Sequence, residues 1–204
     1  MKKNSHLGPV EFHPFGCFLP TNARSLILGS FPIAKFTSLD RKKKFKEGEI
    51  DFFYGGEKNQ LWKLLSLCFK RELGNKNQIV AFLNEKGIAF ADIIKSCRRV
   101  GGGSLDSDLK NCEYFKELGD LILKSSITQV FFTSVKVQSL FKNKIGSVNG
   151  VKEILLISPS GGGIRQISKP FKKEFNKWRK KNPKNKISDF RVYIYLKIFS
   201  KYPK

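Results

Sequence analysis

Four short apolar runs recur along the chain, separated by segments in which apolar residues return with helical spacing. The runs cover residues 25–28, 88–91, 128–133 and 154–157. Continuous apolar runs of this length are typical of strands that a sheet buries on both faces. Their alternation with helical segments predicts an α/β fold, a three-layer sandwich with a central four-stranded, mainly parallel sheet and helices on both faces.

Helical spacing predicts the segments that connect these strands. One helix begins near Asn59, where leucines recur on a single face. The next helix, around residues 79–84, is expected to end at Gly87, since glycine commonly caps a helix C-terminus. Further helices are predicted over residues 107–122, in two pieces, and over residues 134–143.

Three other segments have irregular or ambiguous patterns. Residues 1–20 contain several glycines and prolines and are predicted to form an irregular lead-in segment. Residues 98–104 are predicted to form a basic, glycine-rich loop. Residues 188–199 alternate as a strand would, but their apolar residues also share a helical face, so periodicity leaves both structures open.

The charge balance indicates which partners to consider. The 204 residues include 39 Lys and Arg against 17 Asp and Glu, a formal net charge of +22. Such an excess favours a polyanion such as DNA, RNA or an acidic membrane surface, although a general solubility bias would give the same count. Residues 165–204 hold 14 basic and two acidic residues. Phe171, Phe175 and Trp178 recur there at helical spacing, which predicts a basic helical region.

Length and cysteine content narrow the class of protein. We expect a single domain over residues 1–204. No apolar run approaches the roughly 20 residues of a membrane span, and the first residues lack a signal-peptide pattern. We therefore expect a cytoplasmic protein that has no membrane partner. Cys17, Cys68, Cys97 and Cys112 form no C-x-x-C pair, so buried reduced thiols are expected, with no metal or other cofactor.

Two short loops that directly follow predicted strands are the candidate ligand-binding elements. They cover residues 29–32 (Gly-Ser-Phe-Pro) and residues 158–161 (Ser-Pro-Ser-Gly). In an open α/β sheet, the loops at the carboxyl ends of the strands form the ligand crevice. The two loops are therefore predicted to face a shared pocket, where their backbone N–H groups could hold phosphates or stabilise developing negative charge.

Six segments occur in a consistent order along the chain: residues 29–32, 53–62, 87–92, 104–107, 130–133 and 158–161. Together they resemble the uracil-DNA glycosylase superfamily, and most closely its hypoxanthine-DNA glycosylase-like group. The resemblance implies a monofunctional DNA glycosylase that flips a deaminated base, hypoxanthine or uracil, out of DNA and excises it by hydrolysis. It also implies a nucleoid-associated monomer whose partner is DNA, and a C-terminal helix, which favours a helix over residues 188–199.

The chain departs from the superfamily at three positions. Phe31 stands where many members have a catalytic Asp or Asn, Ser158 where many have His or Asn, and Gly162 where a wedging Leu is usual. The resemblance implies that Asn59 takes over from the missing first-loop carboxylate. These departures keep open an alternative function, a non-catalytic nucleic-acid-binding protein with the same fold. A P-loop nucleotide hydrolase is disfavoured because the chain has no G-x-x-x-x-G-K-[ST] motif.

A flipped base needs a stacking ring and a hydrogen-bonding partner. Phe31, Phe53 and Tyr54 are the candidate rings, and core packing is the alternative role for the two phenylalanines. Asp92 ends an apolar strand, where a carboxylate is costly unless it is used or paired. It could accept the N–H of a deaminated base. A helix cap, or a salt bridge to an arginine at residues 98–99, is the alternative role for Asp92.

Bond cleavage and DNA contact are assigned to the loops and to the start of a helix. Asn59 could orient a water molecule, or only cap its helix, and Ser158 is expected near the sugar. The two histidines, at positions 6 and 13, are expected to be structural or solvated. A basic cluster at residues 41–46 adds phosphate contacts. The predicted DNA-contacting residues, including two candidates for the wedge (Ile164 and Arg165), are Gly29, Ser30, Pro32, Arg98, Pro159, Ser160, Gly161, Ile164 and Arg165.

Overall fold

The computed structural model describes residues 6–38, 45–101, 105–161 and 167–202. The strands in these ranges are β1 (Leu7–Phe12), β2 (Cys17–Phe18), β3 (Ser25–Gly29), β4 (Ile88–Asp92), β5 (Ile94–Val100), β6 (Leu109–Tyr114), β7 (Gln129–Phe132) and β8 (Lys152–Leu155). The α-helices are α1 (Ala34–Thr37), α2 (Leu61–Phe69), α3 (Lys76–Lys86), α4 (Leu118–Lys124), α5 (Val135–Lys144), α6 (Lys172–Lys181) and α7 (Ile187–Phe199). Short 3₁₀ turns cover Asp106–Asp108 and Lys169–Phe171.

The central sheet has five strands in the order β2-β4-β3-β7-β8. β3, β4, β7 and β8 are parallel and correspond to the four predicted strands, which confirms the α/β class. β2 adds a short antiparallel edge strand that the sequence did not predict. Every residue of β3 and β4 is buried, as continuous apolar runs require. β8 occupies Lys152–Leu155, slightly earlier than the predicted residues 154–157.

The side chains of the central sheet separate two apolar layers. Ile27, Phe90 and Phe131 face one layer, which contains the buried residues of α2, α3 and α7. Leu28 and Phe132 face the other layer, together with the buried residues of α4 and α5. Alternation across the sheet produces this division because successive side chains of a strand point to opposite faces. The predicted helix–sheet–helix sandwich is therefore confirmed.

A second sheet of three antiparallel strands, in the order β1-β5-β6, corrects three predictions. The lead-in segment contains β1 and β2, residues 98–100 of the predicted loop belong to β5, and residues 109–114 form β6 instead of a helix. Only the second predicted helical piece exists, as α4. β1 escaped prediction because it contains Pro9, which a register shift between Leu7 and Val10 accommodates.

The end of the chain forms the expected helix, α7. Its start is capped by the Asp189 carboxylate, whose Oδ2 accepts the backbone N–H of Lys186 at 2.8 Å. After α7, the Tyr202 hydroxyl lies 2.9 Å from Ser25 Oγ at the beginning of β3. The C-terminal region is thereby attached to the central strand of the sheet. The structure includes no helix long and apolar enough to cross a membrane within the ranges given above.

Candidate active site

The two predicted loops and the beginning of α2 lie at the same edge of the central sheet. This edge is where β3, β4, β7 and β8 end, because the four strands are parallel. Hydrogen bonds extend the pairing past the strands: Ile93 N–H donates to the Gly29 carbonyl at 2.9 Å. The second loop is attached to α2, since Gln60 N–H donates to the Pro159 carbonyl at 3.0 Å. The elements predicted to form the crevice are therefore neighbours.

Gly29 is the point at which two candidate base-binding side chains meet. A Cβ atom added there would lie 2.0 Å from Asp92 Oδ1 and 2.5 Å from the Tyr54 hydroxyl oxygen. Both distances are far below van der Waals contact. The carboxylate and the phenol therefore approach the backbone at the end of β3 so closely that only glycine fits.

Asp92 is buried, with 4% of its surface exposed, and its two oxygens have different surroundings. Oδ2 lies 2.9 Å from His13 Nε2. Oδ1 has no hydrogen-bond partner among the described residues, and the only other buried side-chain atom in that state is Arg191 Nε. An unpaired buried carboxylate oxygen is costly unless a ligand or a water molecule completes its hydrogen bonding.

The hydrogen bonds of His13 determine which of its nitrogens carries the proton. His13 Nδ1 accepts the backbone N–H of Phe15 at 3.2 Å, so in the neutral ring the proton is on Nε2. Nε2–H therefore donates to Asp92 Oδ2, and the carboxylate acts as the acceptor in this pair. The hydrogen bond from His13 therefore occupies Oδ2 and leaves the lone pairs of Asp92 Oδ1 unused.

His13 is the functional candidate that the sequence analysis missed. Its side chain is 0% exposed and lies among the rings of Phe15, Phe31, Phe53 and Phe115 at centroid distances of 5.4–6.2 Å. His13 was expected to be structural or solvated. The structure shows that it is buried and paired with the candidate site residue Asp92. No local signal could have revealed the pair, because its two members are 79 residues apart. His6, in contrast, is exposed.

The arginines near Asp92 have other partners, which corrects the predicted alternative of a salt bridge to residues 98–99. Arg99 pairs with Glu11 at 2.9 Å and also donates to the Pro32 carbonyl. Arg98 donates to the Gly8 carbonyl at 3.0 Å. Both side chains attach β1 to β5, and Arg99 also attaches the first loop. Asp92 ends a strand, so a helix cap is also excluded.

Tyr54 occupies a left-handed backbone conformation, with φ of 55°, between Phe53 and Gly55. Its hydroxyl donates to Thr133 Oγ1 at 2.8 Å, and Thr133 in turn donates to the Leu28 carbonyl at 3.0 Å. Burial, and secondly the nearby Asp92 charge, raise the pKa of the Tyr54 hydroxyl well above its ordinary value. The phenol is therefore neutral and fixed at the end of β7.

The other two candidate rings lie deeper. Phe53 is 1% exposed and packs against Phe90 at a centroid distance of 5.0 Å, so it occupies the core position that was its alternative role. Phe31 is buried as well, and its ring lies 5.5 Å from the Arg99 guanidinium carbon. Tyr54 alone of the three is only partly buried as a residue.

Asn59 and the second loop are held by local hydrogen bonds. Asn59 Oδ1 accepts the backbone N–H of Leu61 at 2.9 Å and so caps the start of α2. Ser158 Oγ lies 3.0 Å from Ser160 Oγ. Pro159, the residue between these two serines, is buried. A Cβ on Gly161 would lie 3.2 Å from the Lys58 carbonyl oxygen, so this loop also passes close to the residues before α2.

Some of the remaining residues that were predicted to contact DNA are described by the structure, and others lie outside the described ranges. Ser30 Oγ donates to Asp106 Oδ1 at 2.8 Å, which fixes the first loop against the 3₁₀ turn before β6. Ile164 and Arg165, the two wedge candidates, lie outside the described residues, as do Gly162 and the basic residues 41–44. Four free cysteines are present; Cys97 is buried as expected, but Cys17 is exposed. The described ranges contain no group of three or more side chains that could hold a metal ion.

Comparison with solved structures relates this fold to a known one. The chain is similar to the solution NMR structure of a proposed uracil DNA glycosylase from Methanosarcina acetivorans, with a TM-score of 0.54 and 22% sequence identity. The similarity covers 83% of this chain and 96% of that chain. No model of a known protein family matches the sequence, and no curated protein does. At this level of identity the similarity establishes a shared fold.

Proposed function

We propose that this chain is a monofunctional DNA glycosylase of the uracil-DNA glycosylase superfamily. It would hydrolyse the N-glycosidic bond of a deaminated base, uracil or hypoxanthine, in the first step of base excision repair. The observation that carries the proposal is Asp92 Oδ1, a buried acceptor without a partner at the carboxyl edge of the sheet. The fold shared with a proposed uracil DNA glycosylase and the net charge of +22 support it independently.

Asp92 would select the base by whether its ring nitrogen donates or accepts a hydrogen bond. Uracil N3 and hypoxanthine N1 carry a proton, whereas the corresponding ring nitrogens of cytosine and adenine present a lone pair. With Oδ2 bonded to His13, an ionised Asp92 would accept the proton of a deaminated base at Oδ1, whereas cytosine or adenine would face lone-pair repulsion. A group built to accept one proton thus rejects bases that lack it.

Tyr54 is our candidate for the surface on which the flipped base stacks. A base within a duplex is inaccessible to the enzyme, so the nucleotide must rotate out into the pocket. Tyr54 adjoins both Gly29 and Asp92, and its hydroxyl is held by Thr133. Phe31 would add apolar surface to the first loop, and Phe53 would support the site from the core.

Cleavage would use water as the nucleophile, positioned by Asn59. The Asn59 carbonyl oxygen has two lone pairs, and the Leu61 N–H uses one of them. The other could orient a water molecule toward C1′ of the sugar, with Ser158 nearby. Backbone N–H groups of the two loops would stabilise the negative charge that develops on the departing base and would hold flanking phosphates.

The direct test is excision from defined DNA. Duplex and single-stranded oligonucleotides that contain uracil, hypoxanthine or xanthine are incubated with excess protein, and alkali then breaks the strand at each abasic site. We expect strand breaks with at least one deaminated base and none with normal DNA. The absence of breaks with every lesion would reject the enzyme and favour the non-catalytic nucleic-acid-binding protein, for which the capping role of Asn59 is the supporting observation.

Replacement of Asn59 separates its two roles. We expect Asn59→Ala and Asn59→Ser each to slow excision by at least ~10²-fold, the loss typical of a positioned polar group. Serine is also a good helix cap, so the Ser variant keeps the start of α2 stable. A Ser variant with the wild-type single-turnover rate would show that Asn59 only caps the helix.

Replacement of Gly29 tests whether the approach of Asp92 and Tyr54 to the first loop matters. We expect Gly29→Ala to slow excision by at least ~10²-fold, because a new methyl group would displace both side chains from the base. Gly74→Ala is the matched control, since a Cβ there meets only Gln78 Oε1 at 3.6 Å. Equal rates for the two variants would remove Gly29 from the site.

A further inference from the structure

A groove lies on the outer surface of the last two helices, apart from the edge where the strands end. α6 and α7 are antiparallel: Glu174 near the start of α6 bonds Lys197 near the end of α7, and Trp178 contacts Phe190 and Tyr193 in the first half of α7. The groove between them has a volume of about 810 Å³. Neither the superfamily resemblance nor the proposed excision reaction accounts for it.

Aromatic rings form part of the groove lining. The Trp178 ring lies 5.3 Å from the ring of Phe190, which is fully buried, and 6.3 Å from the ring of Tyr193. Tyr193 is 38% exposed, so its ring is accessible from solvent. The two accessible rings therefore rest on the core and lose little side-chain entropy when a flat ligand packs on them.

Lysines surround these rings. Lys173, Lys177 and Lys181 recur every fourth residue of α6, line the groove and are exposed. None of the three pairs with an acidic side chain in the part of the chain that the structure describes. The one carboxylate in the lining, Glu174, is already neutralised by Lys197. The groove thus presents a row of uncompensated positive charges about 6 Å apart along the helix axis.

We infer that this groove binds single-stranded nucleic acid, with bases stacked on Trp178 and Tyr193 and with phosphates near the three lysines of α6. Aromatic rings within a basic groove are the standard means of holding an unpaired strand without sequence preference. A duplex has its bases already stacked and would not use the rings. An acidic peptide could use the lysines, but it has no flat π-face for each ring.

The opposite side of α7 links this groove to the candidate active site. Arg191 is buried and donates to the Ser160 carbonyl at 3.2 Å, while Tyr193 faces the groove. A strand held in the groove would therefore run along a helix that also holds the second loop. The binding inference does not depend on the proposed excision reaction, because an undamaged strand is a sufficient ligand.

The test uses intrinsic fluorescence and a labelled oligothymidylate of about 12 nucleotides, a typical site size for such grooves. The chain has two tryptophans, and Trp62 is 5% exposed with its indole N–H bonded to the Phe53 carbonyl. We expect the oligothymidylate to quench Trp178 and the matching duplex to leave it unchanged. Quenching by both nucleic acids alike, or by neither, would overturn the inference.

Variants separate stacking from general charge. We expect Trp178→Ala and Tyr193→Ala each to raise the Kd for oligothymidylate about 10-fold, the effect of one lost stacked base. Lys177→Gln should weaken binding more than Lys124→Gln, a matched change of an exposed lysine on α4. Thermal unfolding identifies any variant that does not fold. If Trp178→Ala does not fold, Tyr193→Ala alone tests the stacking. Wild-type affinity in folded ring variants, or equal losses in the two lysine variants, would contradict the inference.

Asp92→Asn provides the comparison with the excision site. This variant should bind undamaged oligothymidylate as the wild-type chain does, whatever its activity on damaged DNA. Loss of oligothymidylate binding in Asp92→Asn would place the strand at the sheet edge and would overturn the inference. Failure of the proposed excision reaction would leave the fluorescence result unchanged, so the two proposals fail separately.

Discussion

Asp92→Asn should slow the excision of uracil and hypoxanthine by at least ~10²-fold, the loss expected when one positioned hydrogen-bonding group is mismatched. The reason lies in His13, whose Nε2–H can donate only to the oxygen of the new amide. The amide nitrogen would then occupy the place of Oδ1 and present a donor where the deaminated base also presents one. The substitution replaces a hydrogen-bond acceptor with a donor and leaves the size of the side chain nearly unchanged.

The same orientation predicts a change of selectivity in the Asp92→Asn variant. Cytosine and adenine present a lone pair at the ring nitrogen concerned, so the discrimination against them should decrease relative to the wild-type chain. Single-turnover rates on matched oligonucleotides with uracil, cytosine, hypoxanthine or adenine measure both effects. Thermal unfolding provides the control, since a near-isosteric amide that keeps the His13 bond should fold. An unchanged preference for deaminated bases would show that Asp92 does not select the base.

His13→Phe should destabilise the chain and slow excision. Phenylalanine retains an aromatic ring among the surrounding phenylalanines but removes the N–H that bonds Asp92 Oδ2. Both oxygens of a buried carboxylate would then lack a partner among the described residues, and the loss of a hydrogen bond to a charged group costs about 1.5–3 kcal/mol. We expect a decrease of this order in the free energy of unfolding, measured with denaturant, and excision slower by at least ~10-fold.

The double variant distinguishes a positioning role for His13 from a general loss of packing. If His13 acts through Asp92, the chain with both His13→Phe and Asp92→Asn should excise uracil no more slowly than Asp92→Asn alone. Independent roles would instead multiply the two losses. His13→Gln is the matched single variant, because its amide can restore a donor. Rates that multiply, with no recovery in His13→Gln, would assign His13 to the core only.

Local sequence patterns predicted the parts of the fold that depend on local physics. β3 and β4 are buried on both faces, so an apolar run was sufficient to locate them. α3 is capped by Gly87, whose left-handed φ of 59° is a conformation that glycine adopts at the least cost. The ambiguous last segment is a helix, but periodicity alone did not determine it. The superfamily resemblance favoured the correct structure there.

Tertiary contacts determined what the sequence pattern could not predict. β1 contains Gly8 and Pro9 and is ordered by its pairing with β5, so its local preference indicated a loop. Asp92 was identified because a charge after an apolar run is unusual, and the structure confirms its burial. Its partner His13 lies in the segment with the weakest pattern. Pairs separated by 79 residues have no common periodicity from which they could be inferred.

The position of β3 in the middle of the sheet affects how a newly made chain can fold. One side of β3 pairs with β4, which follows soon in the sequence, but the other side pairs with β7, where Ser25 is opposite Gln129. At about 5–20 residues per second, ribosomal synthesis leaves that apolar edge open for roughly 5–20 s before β7 emerges. An unpaired hydrophobic edge is a site for aggregation. We therefore expect the yield of soluble protein to fall when translation is slow and to rise when holdase chaperones are abundant.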